Sequence, residues 1–228
     1  MNARYECVTC GSPLEAEGVV YECPRCAGSS PQGWPHGYLS VAWEPRSRHE
    51  PGTPVDPRDF LPLEITAFQA FPAGNTPLVS PQRLCRKVGV PRLFFKNDTL
   101  NVSGSLKDRA SLLVAEQARA LGERTVVLAS TGNAGASMAC AGAAYGLEVV
   151  LFVPAAAPRA KLLQSLLYGA RVVPVEGTYD DAYALSIAYT GARGGINRNT
   201  AYNPFTVEGK KTVSLEIYNQ VGCAVPDV

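Results

Sequence analysis

The sequence predicts an α/β fold on a mostly parallel sheet, preceded by a small cysteine module. From about residue 63, short β-branched runs alternate with longer helical runs, the signature of βαβ units. Four of the seven cysteines fall within residues 1–28, as two C-x-x-C pairs. The chain has 228 residues, 46% hydrophobic and 18% charged, enough to close a core and too apolar for a disordered chain. Lys plus Arg (21) nearly balances Asp plus Glu (20), so no electrostatic footprint points to nucleic acid or an anionic membrane. The most apolar stretch, residues 134–158, is broken by Glu148 and several glycines and does not read as a membrane span. Met1 to Cys7 lack the apolar core of a signal peptide. The expectation is a soluble cytoplasmic protein with reduced thiols and neither nucleic-acid nor membrane partners.

Taken in order, Cys7-x-x-Cys10 and Cys23-x-x-Cys26 can each grip a tetrahedral metal from a tight knuckle, with Gly11 placed for the first turn. This is zinc-ribbon spacing, and four thiolates leave no open coordination position, so the zinc is expected to be structural. Residues 1–28 form that module. Residues 29–62 hold prolines at 31, 35, 45, 51, 54, 57 and 62 and predict an extended arm or linker. Trp34, Tyr38, Trp43 and Phe60 predict that this arm lies on a protein surface. The body, 63–228, reads as a strand at 92–96, a helix at 107–121, a strand at 124–129 and a small-residue helix at 134–145. A strand at 148–153, a helix at 158–168 closed by Gly169, a strand at 171–175 and helices at 179–190 and 207–221 follow. Residues 191–195 read as a helix end. Cys85, Cys140 and Cys223 read as small buried hydrophobes.

Two loops carry chemistry. In the stretch from Phe95 to Arg109, a strand ends in a polar, glycine-containing turn and Lys107 stands at the first turn of a helix. A lysine so placed is a candidate for a Schiff base with an aldehyde cofactor. In Ala129-Ser130-Thr131-Gly132-Asn133-Ala134-Gly135-Ala136, a second strand meets a helix N-terminus, where hydroxyls, an amide and backbone N–H groups can hold a carboxylate or other anion.

Together the two loops resemble the fold type II pyridoxal-phosphate enzymes, and within them the threonine synthase family. Ser103-Gly104-Ser105-Leu106-Lys107-Asp108-Arg109 resembles the family's lysine segment, and Gly74-Asn75-Thr76-Pro77-Leu78 the motif ahead of its first strand. Ser130-Thr131-Gly132-Asn133 resembles the substrate-carboxylate loop. Asn203-Pro204-Phe205-Thr206-Val207-Glu208-Gly209-Lys210-Lys211-Thr212 is similar to the family's Asn-Pro-Tyr-x-x-Glu-Gly-x-Lys-Thr segment. Some threonine synthases also begin with a four-cysteine ribbon. The resemblance implies a tryptophan synthase beta-like body. It implies pyridoxal 5'-phosphate bound through Lys107, which also moves protons at the substrate's α and β carbons. It implies that Asn133 bonds the cofactor's phenolic oxygen and that Ser130 and Thr131, with Asn133, face the amino-acid substrate. Asp108 and Arg109 are expected to be structural, and Lys210 and Lys211 solvated or paired on a helix face, with phosphate binding by either as the lesser alternative.

Val102-Ser103 stands where the family often has Pro-Thr, and Leu106 replaces a Phe. The family's phosphate-cradling glycine loop is not found, so the body reads as incomplete. The expected reaction is that of threonine synthase, O-phosphohomoserine and water giving threonine and phosphate. The alternatives are another type II activity (threonine or serine dehydratase, cysteine synthase, cysteate synthase), or a catalytically incomplete fragment or interaction protein with an exposed apolar face. Residues of about 110–200 are expected to form a smaller mobile domain, and 63–107 with 205–228 to belong to the larger one. A complete relative is expected to be a homodimer.

Overall fold

The computed structural model describes residues 2–28 and 37–226. Its first unit is a three-stranded antiparallel sheet of β1 (Asn2–Cys7), β2 (Pro13–Glu17) and β3 (Leu39–Ala42), in the order β2-β1-β3. Tyr5 and Cys7 on β1 and Leu39 and Val41 on β3 alternate inward and pack against Leu113 and Phe205 of the body. The strand β3 corrects the reading of 29–62 as an arm throughout. Leu-Ser-Val-Ala has the two-residue alternation of a half-buried strand, and β1 offers it a free edge. Trp34 lies outside the described residues. The arm after β3 rests on the body. Val55 N–H donates to Asn219 Oδ1 at 2.9 Å, Gly52 N–H to Tyr218 Oη at 3.0 Å, and Trp43 packs edge-on to Phe60.

The body centres on four parallel strands, β6 (Thr125–Ala129), β7 (Glu148–Pro154), β8 (Arg171–Val175) and β9 (Ile196–Asn197), in the order β8-β7-β6-β9. Their connections are α3 (Asn133–Tyr145), α4 (Arg159–Leu167) and α5 (Tyr179–Arg193). Val126 and Leu128 of β6 and Val149 and Leu151 of β7 face α3 and α2 (Lys107–Ala120). Val127, Ala129, Val150 and Phe152 face α5 on the other side. Burial on both faces is why these strands read as continuous apolar runs. The small residues of α3 let it approach closely. A Cβ on Gly142 would collide with the Val149 side chain, and one on Gly135 would lie 3.0 Å from Leu151.

Three sequence expectations shift. The strand expected at 92–96 shrinks to β5 (Phe95–Lys96), because Pro91 and Arg92 form a turn. It pairs antiparallel with β4 (Leu78–Val79), with α1 (Gln82–Val88) between them, and Phe94, Phe95 and Val79 stay exposed. The helix expected at 207–221 starts earlier and divides at Lys211 into α6 (Phe205–Lys210) and α7 (Thr212–Gln220). Thr212 Oγ1 donates to the Gly209 carbonyl at 2.9 Å, a local bond that competes with the helical ladder there. Gly209 lies so close to α2 that a Cβ would collide with the Arg109 and Ala110 backbone. Cys85 and Cys140 are buried, but Cys223 is half-exposed in the turn after α7, at φ 61°.

The Arg109 guanidinium joins these parts. It is 1% exposed, with Nε 2.8 Å from Asp98 Oδ2 and Nη1 2.6 Å from Glu216 Oε1 of α7. Lys96 Nζ lies 2.6 Å from Glu216 Oε2, and Thr76 Oγ1 donates to Asp98. Burial alone would raise both carboxylates, but the bonds from Arg109, with Thr76 at Asp98 and Lys96 at Glu216, hold them below the usual range. Arg109→Met leaves Asp98 inside without its paired cation and Glu216 with Lys96 alone. Urea denaturation of that variant should show a loss of about 3–5 kcal/mol. Wild-type stability should be present above the ordinary carboxylate range and fall as pH drops through the lowered values, a dependence Arg109→Met weakens.

Candidate active site

The helices after β6 and before β9 lie on opposite faces of the sheet, so the chain reverses direction between these adjacent strands. In open parallel sheets, ligands bind at the carboxyl ends of strands at such a reversal. Two segments leave the sheet there. The loop Ser130-Thr131-Gly132 follows β6, and Arg198-Asn199-Thr200 follows β9, with Arg198 N–H donating to the Val127 carbonyl at 2.8 Å. Asn199 bridges them, its Oδ1 accepting from Ala129 N–H at 2.8 Å.

The first loop is organised by Ser130. Its Oγ accepts from Gly132 N–H at 3.2 Å and Gly135 N–H at 3.1 Å, so this hydroxyl shapes its own turn. Thr131 is half-buried and Asn133 exposed, and among the described residues neither side chain is engaged. Asn133 is the first residue of α3 and Thr131 lies two residues before it; the first N–H groups of a helix have no acceptor in its own ladder.

The lysine loop is shaped the same way. Asp108 Oδ2 accepts from Ser103 N–H at 2.6 Å, and Ser103 Oγ donates to its other oxygen. Gly104 takes φ 84°, which only glycine adopts readily. The chain then enters α2 with a half-buried Lys107 as its first residue, Lys107 N–H donating to Ser105 Oγ at 3.2 Å. One turn further into each helix, Ser137 Oγ of α3 donates to Ser111 Oγ of α2 at 2.7 Å, both fully buried. Lys107 and Asn133 each precede their serine by four residues, about one turn nearer the start of each helix.

Two cations complete this region, Arg198, which sequence reasoning missed, and Lys210. Arg198 is fully buried, with Nη2 3.5 Å from Ser111 Oγ and Nη1 3.2 Å from Thr200 Oγ1. Lys210, expected on a solvated or paired face, is half-buried on α6. Burial pushes its amine down to about 8, with the charges of Arg198 and Lys107 adding to the effect. Burial also lowers Arg198, to about 10, so it stays charged at neutral pH. The polar run Asn197 to Thr200 after a short apolar pair is the signal that could have marked Arg198. Lys211 is paired as expected, bound to Glu208, and its Nζ sits 3.4 Å over the Trp43 ring.

In the ribbon, one sulfur from each of Cys7, Cys10, Cys23 and Cys26 lies within 4.8 Å of the others. A cavity of about 400 Å³ opens elsewhere, between the arm and α7, lined by Val55, Leu61, Phe68 and Asn219, and reaches Arg109 and not Lys107. No helix among the described residues is long and apolar enough to cross a membrane.

Lys107 opens α2 and Asn133 opens α3, and the two helices touch through Ser111 and Ser137. Residues 70–228 match the family model described as pyridoxal-phosphate dependent enzyme. The chain belongs to that family. It is 33% identical over 223 residues to a threonine synthase of Methanosarcina acetivorans, covering 97% of this chain and 54% of that one. It is 31% identical over 225 residues to a threonine synthase of Methanocaldococcus jannaschii, covering 97% and 55%. The chain thus spans about half the length of the curated relatives it matches. Among solved structures, a pyridoxal 5'-phosphate-dependent aspartate racemase superposes at TM-score 0.58 with 28% identity, covering 64% of this chain and 46% of that one. The processed threonine deaminase isoform 2 of Solanum lycopersicum superposes at 0.57 with 22% identity, covering 67% and 43%, a likeness of fold.

The depressed amine of Lys210 has a measurable consequence. Between about 8 and the ordinary lysine range the unfolded chain binds more protons than the folded one, so stability should rise with pH across that interval. Lys210→Met should flatten the rise. Carbon-13 NMR of reductively methylated lysines should show one resonance titrating near 8 that vanishes in this variant; its absence contradicts the assignment.

Proposed function

We propose that this protein acts in a pyridoxal-phosphate enzyme of threonine synthase type, converting O-phosphohomoserine and water to threonine and phosphate. The observation that supports the reading is the buried Ser111–Ser137 bond between α2 and α3, the helices that Lys107 and Asn133 open. The site fits the cofactor on this chain's own chemistry. Lys107 offers a half-buried primary amine at the start of α2, and Asn133 an exposed, unengaged amide at the start of α3.

Lys107 is the residue that would bond the cofactor aldehyde, and Asn133 would donate to its phenolic oxygen. Once bound, the cofactor supplies an electron sink for charge developing at the substrate's α carbon. Lys107 Nζ then has the task of taking and returning protons at the α and β carbons. Thr131 and the α3 N–H groups would hold the substrate carboxylate at the positive end of the helix. Ser130 contributes by holding that loop open, a positioning role. Residues 110–200 would act as the smaller domain, moving against 63–107 and 205–228.

In the ribbon, Cys7, Cys10, Cys23 and Cys26 would hold one structural zinc. Four thiolates within 4.8 Å support this, since ligands that close need little rearrangement to reach Zn–S distances of roughly 2.3 Å.

Incubation with pyridoxal phosphate followed by borohydride should fix one cofactor on Lys107, read by peptide mass mapping. Labelling elsewhere, or undiminished labelling in Lys107→Ala, sinks the cofactor assignment. Offered phosphohomoserine, threonine, phosphoserine and O-acetylserine, the protein should release threonine from the first; product only from another member assigns that other activity. Metal analysis should find one zinc per chain, lost in Cys23→Ser together with thermal stability; a metal-free wild type that keeps its full stability refutes the ribbon assignment.

A further inference from the structure

The cavity between the arm and α7 does not reach Lys107 and has no task in the chemistry proposed there. Its volume of about 400 Å³ lies within the range of small-molecule sites. Val55, Leu61, Ile65, Phe68, Ala73 and Leu112 give it apolar walls. The wall from the arm is fixed in place. Asn219 of α7 accepts from Val55 N–H at 2.9 Å and donates to the Val55 carbonyl at 2.7 Å.

The polar groups that line it are of two kinds. Arg109, Thr212 and Glu216 reach the cavity, but they are already bonded to one another. Asp56 and Arg58 on the arm keep capacity to spare. Arg58 Nε and Nη2 donate to Asp56, and among the described residues Nη1 has no hydrogen bond. The guanidinium carbon stands 5.7 Å from the Phe68 ring centroid, which holds the charge over the apolar wall. The Asp56 side chain is 40% exposed, so its outer lone pairs are open to a further donor. The bonds from Arg58 hold the Asp56 carboxyl below its usual range, so both groups stay charged at neutral pH. The exposed amide of Asn75, also in the lining, is unengaged among the described residues.

Asp56 and Glu216 balance Arg58 and Arg109, so the lining carries no net charge. A ligand of single charge would leave one sign at the arm unmatched. A wholly apolar ligand would strip water from Asp56 and Arg58 and return no hydrogen bond. The set is satisfied by a molecule that carries both signs beside an apolar body.

We propose that this cavity is a binding site, separate from that of Lys107, for a zwitterionic amino acid with an apolar side chain. Arg58 Nη1 donates to the ligand carboxylate, and Asp56 accepts from its ammonium. The ligand side chain lies against Leu61, Phe68 and Leu112. The site is independent of what Lys107 binds.

Calorimetric titration of L-leucine into the purified protein tests the site. Wild type should bind leucine. Isocaproate, which lacks the ammonium, and isoamylamine, which lacks the carboxylate, should each bind more weakly by about tenfold. Alanine, which lacks the apolar body, should also bind more weakly than leucine. Arg58→Gln should weaken leucine binding by about tenfold, and Ala73→Leu, which fills the cavity, should abolish it. Lys107→Ala should leave it unchanged. No leucine binding by wild type, equal binding of leucine and isocaproate, or undiminished binding in Arg58→Gln or Ala73→Leu overturns the proposal. Loss of binding in Lys107→Ala places leucine at the other site and overturns it as well. If Ala73→Leu fails to fold by circular dichroism, Arg58→Gln and the analogues decide, since the Arg58 side chain is 57% exposed.

Discussion

A guanidinium taken out of water must find carboxylates, and the Arg109 site is organised around that demand. Asp98 comes from the turn after β5 and Glu216 from α7, more than a hundred residues apart in the chain. Meeting at one cation, they fix α2 against both. Because α2 is buried almost throughout from Asp108 to Ala118, it has little freedom to rotate. Lys107, two residues before Arg109, inherits that rigidity. The amine that carries the proposed chemistry is therefore aimed by an ion network that takes no part in it. Breaking a buried pair costs more than forming it gains, so the network specifies an arrangement more than it adds stability.

The sheet supplies the second constraint. A parallel strand buried on both faces must bury its sides and project its function from its ends. Here the ends of β6 and β9 lie together because the chain reverses between them. Asn197, Asn199 and Asn203 are all buried, and their amides stitch the exits together. Asn199 bonds Ala129 N–H and Ser186 Oγ, while Asn203 bonds Gln117 and the Asn197 carbonyl. Among the described residues, Gln117 Nε2 and Arg198 Nε are the buried side-chain atoms left without a partner.

The ribbon belongs to this picture through β9. That strand is two residues long and lies at the sheet edge, where unpaired N–H groups invite association. Tyr21 Oη accepts from Asn197 N–H at 2.8 Å, and the Tyr21 ring stacks on Tyr202 with centroids 4.7 Å apart. Tyr5 meets Phe205 edge-on. A module too small to build a large core of its own thus packs against the strand and helix that flank Arg198. Whatever holds the four sulfurs together also holds that contact.

The sequence by itself determined much of this protein. Periodicity located the helix at 107, the strands at 125, 148 and 171 and the helix at 179, because those elements are long and their apolar spacing is local information. Cysteine spacing located the knuckles, and the two loops were legible because glycines and hydroxyls at strand-to-helix turns are written contiguously. The tertiary structure alone decided what depends on partners distant in sequence. Leu39–Ala42 became a strand only because β1 offered an edge, and 92–96 shortened because only β4 was there to pair. The long helix divided where Gly209 met α2. Lys210 came within reach of the charges of Arg198 and Lys107 only through folding, since burial and Coulomb interaction are set by distance in space, which no one-dimensional pattern encodes.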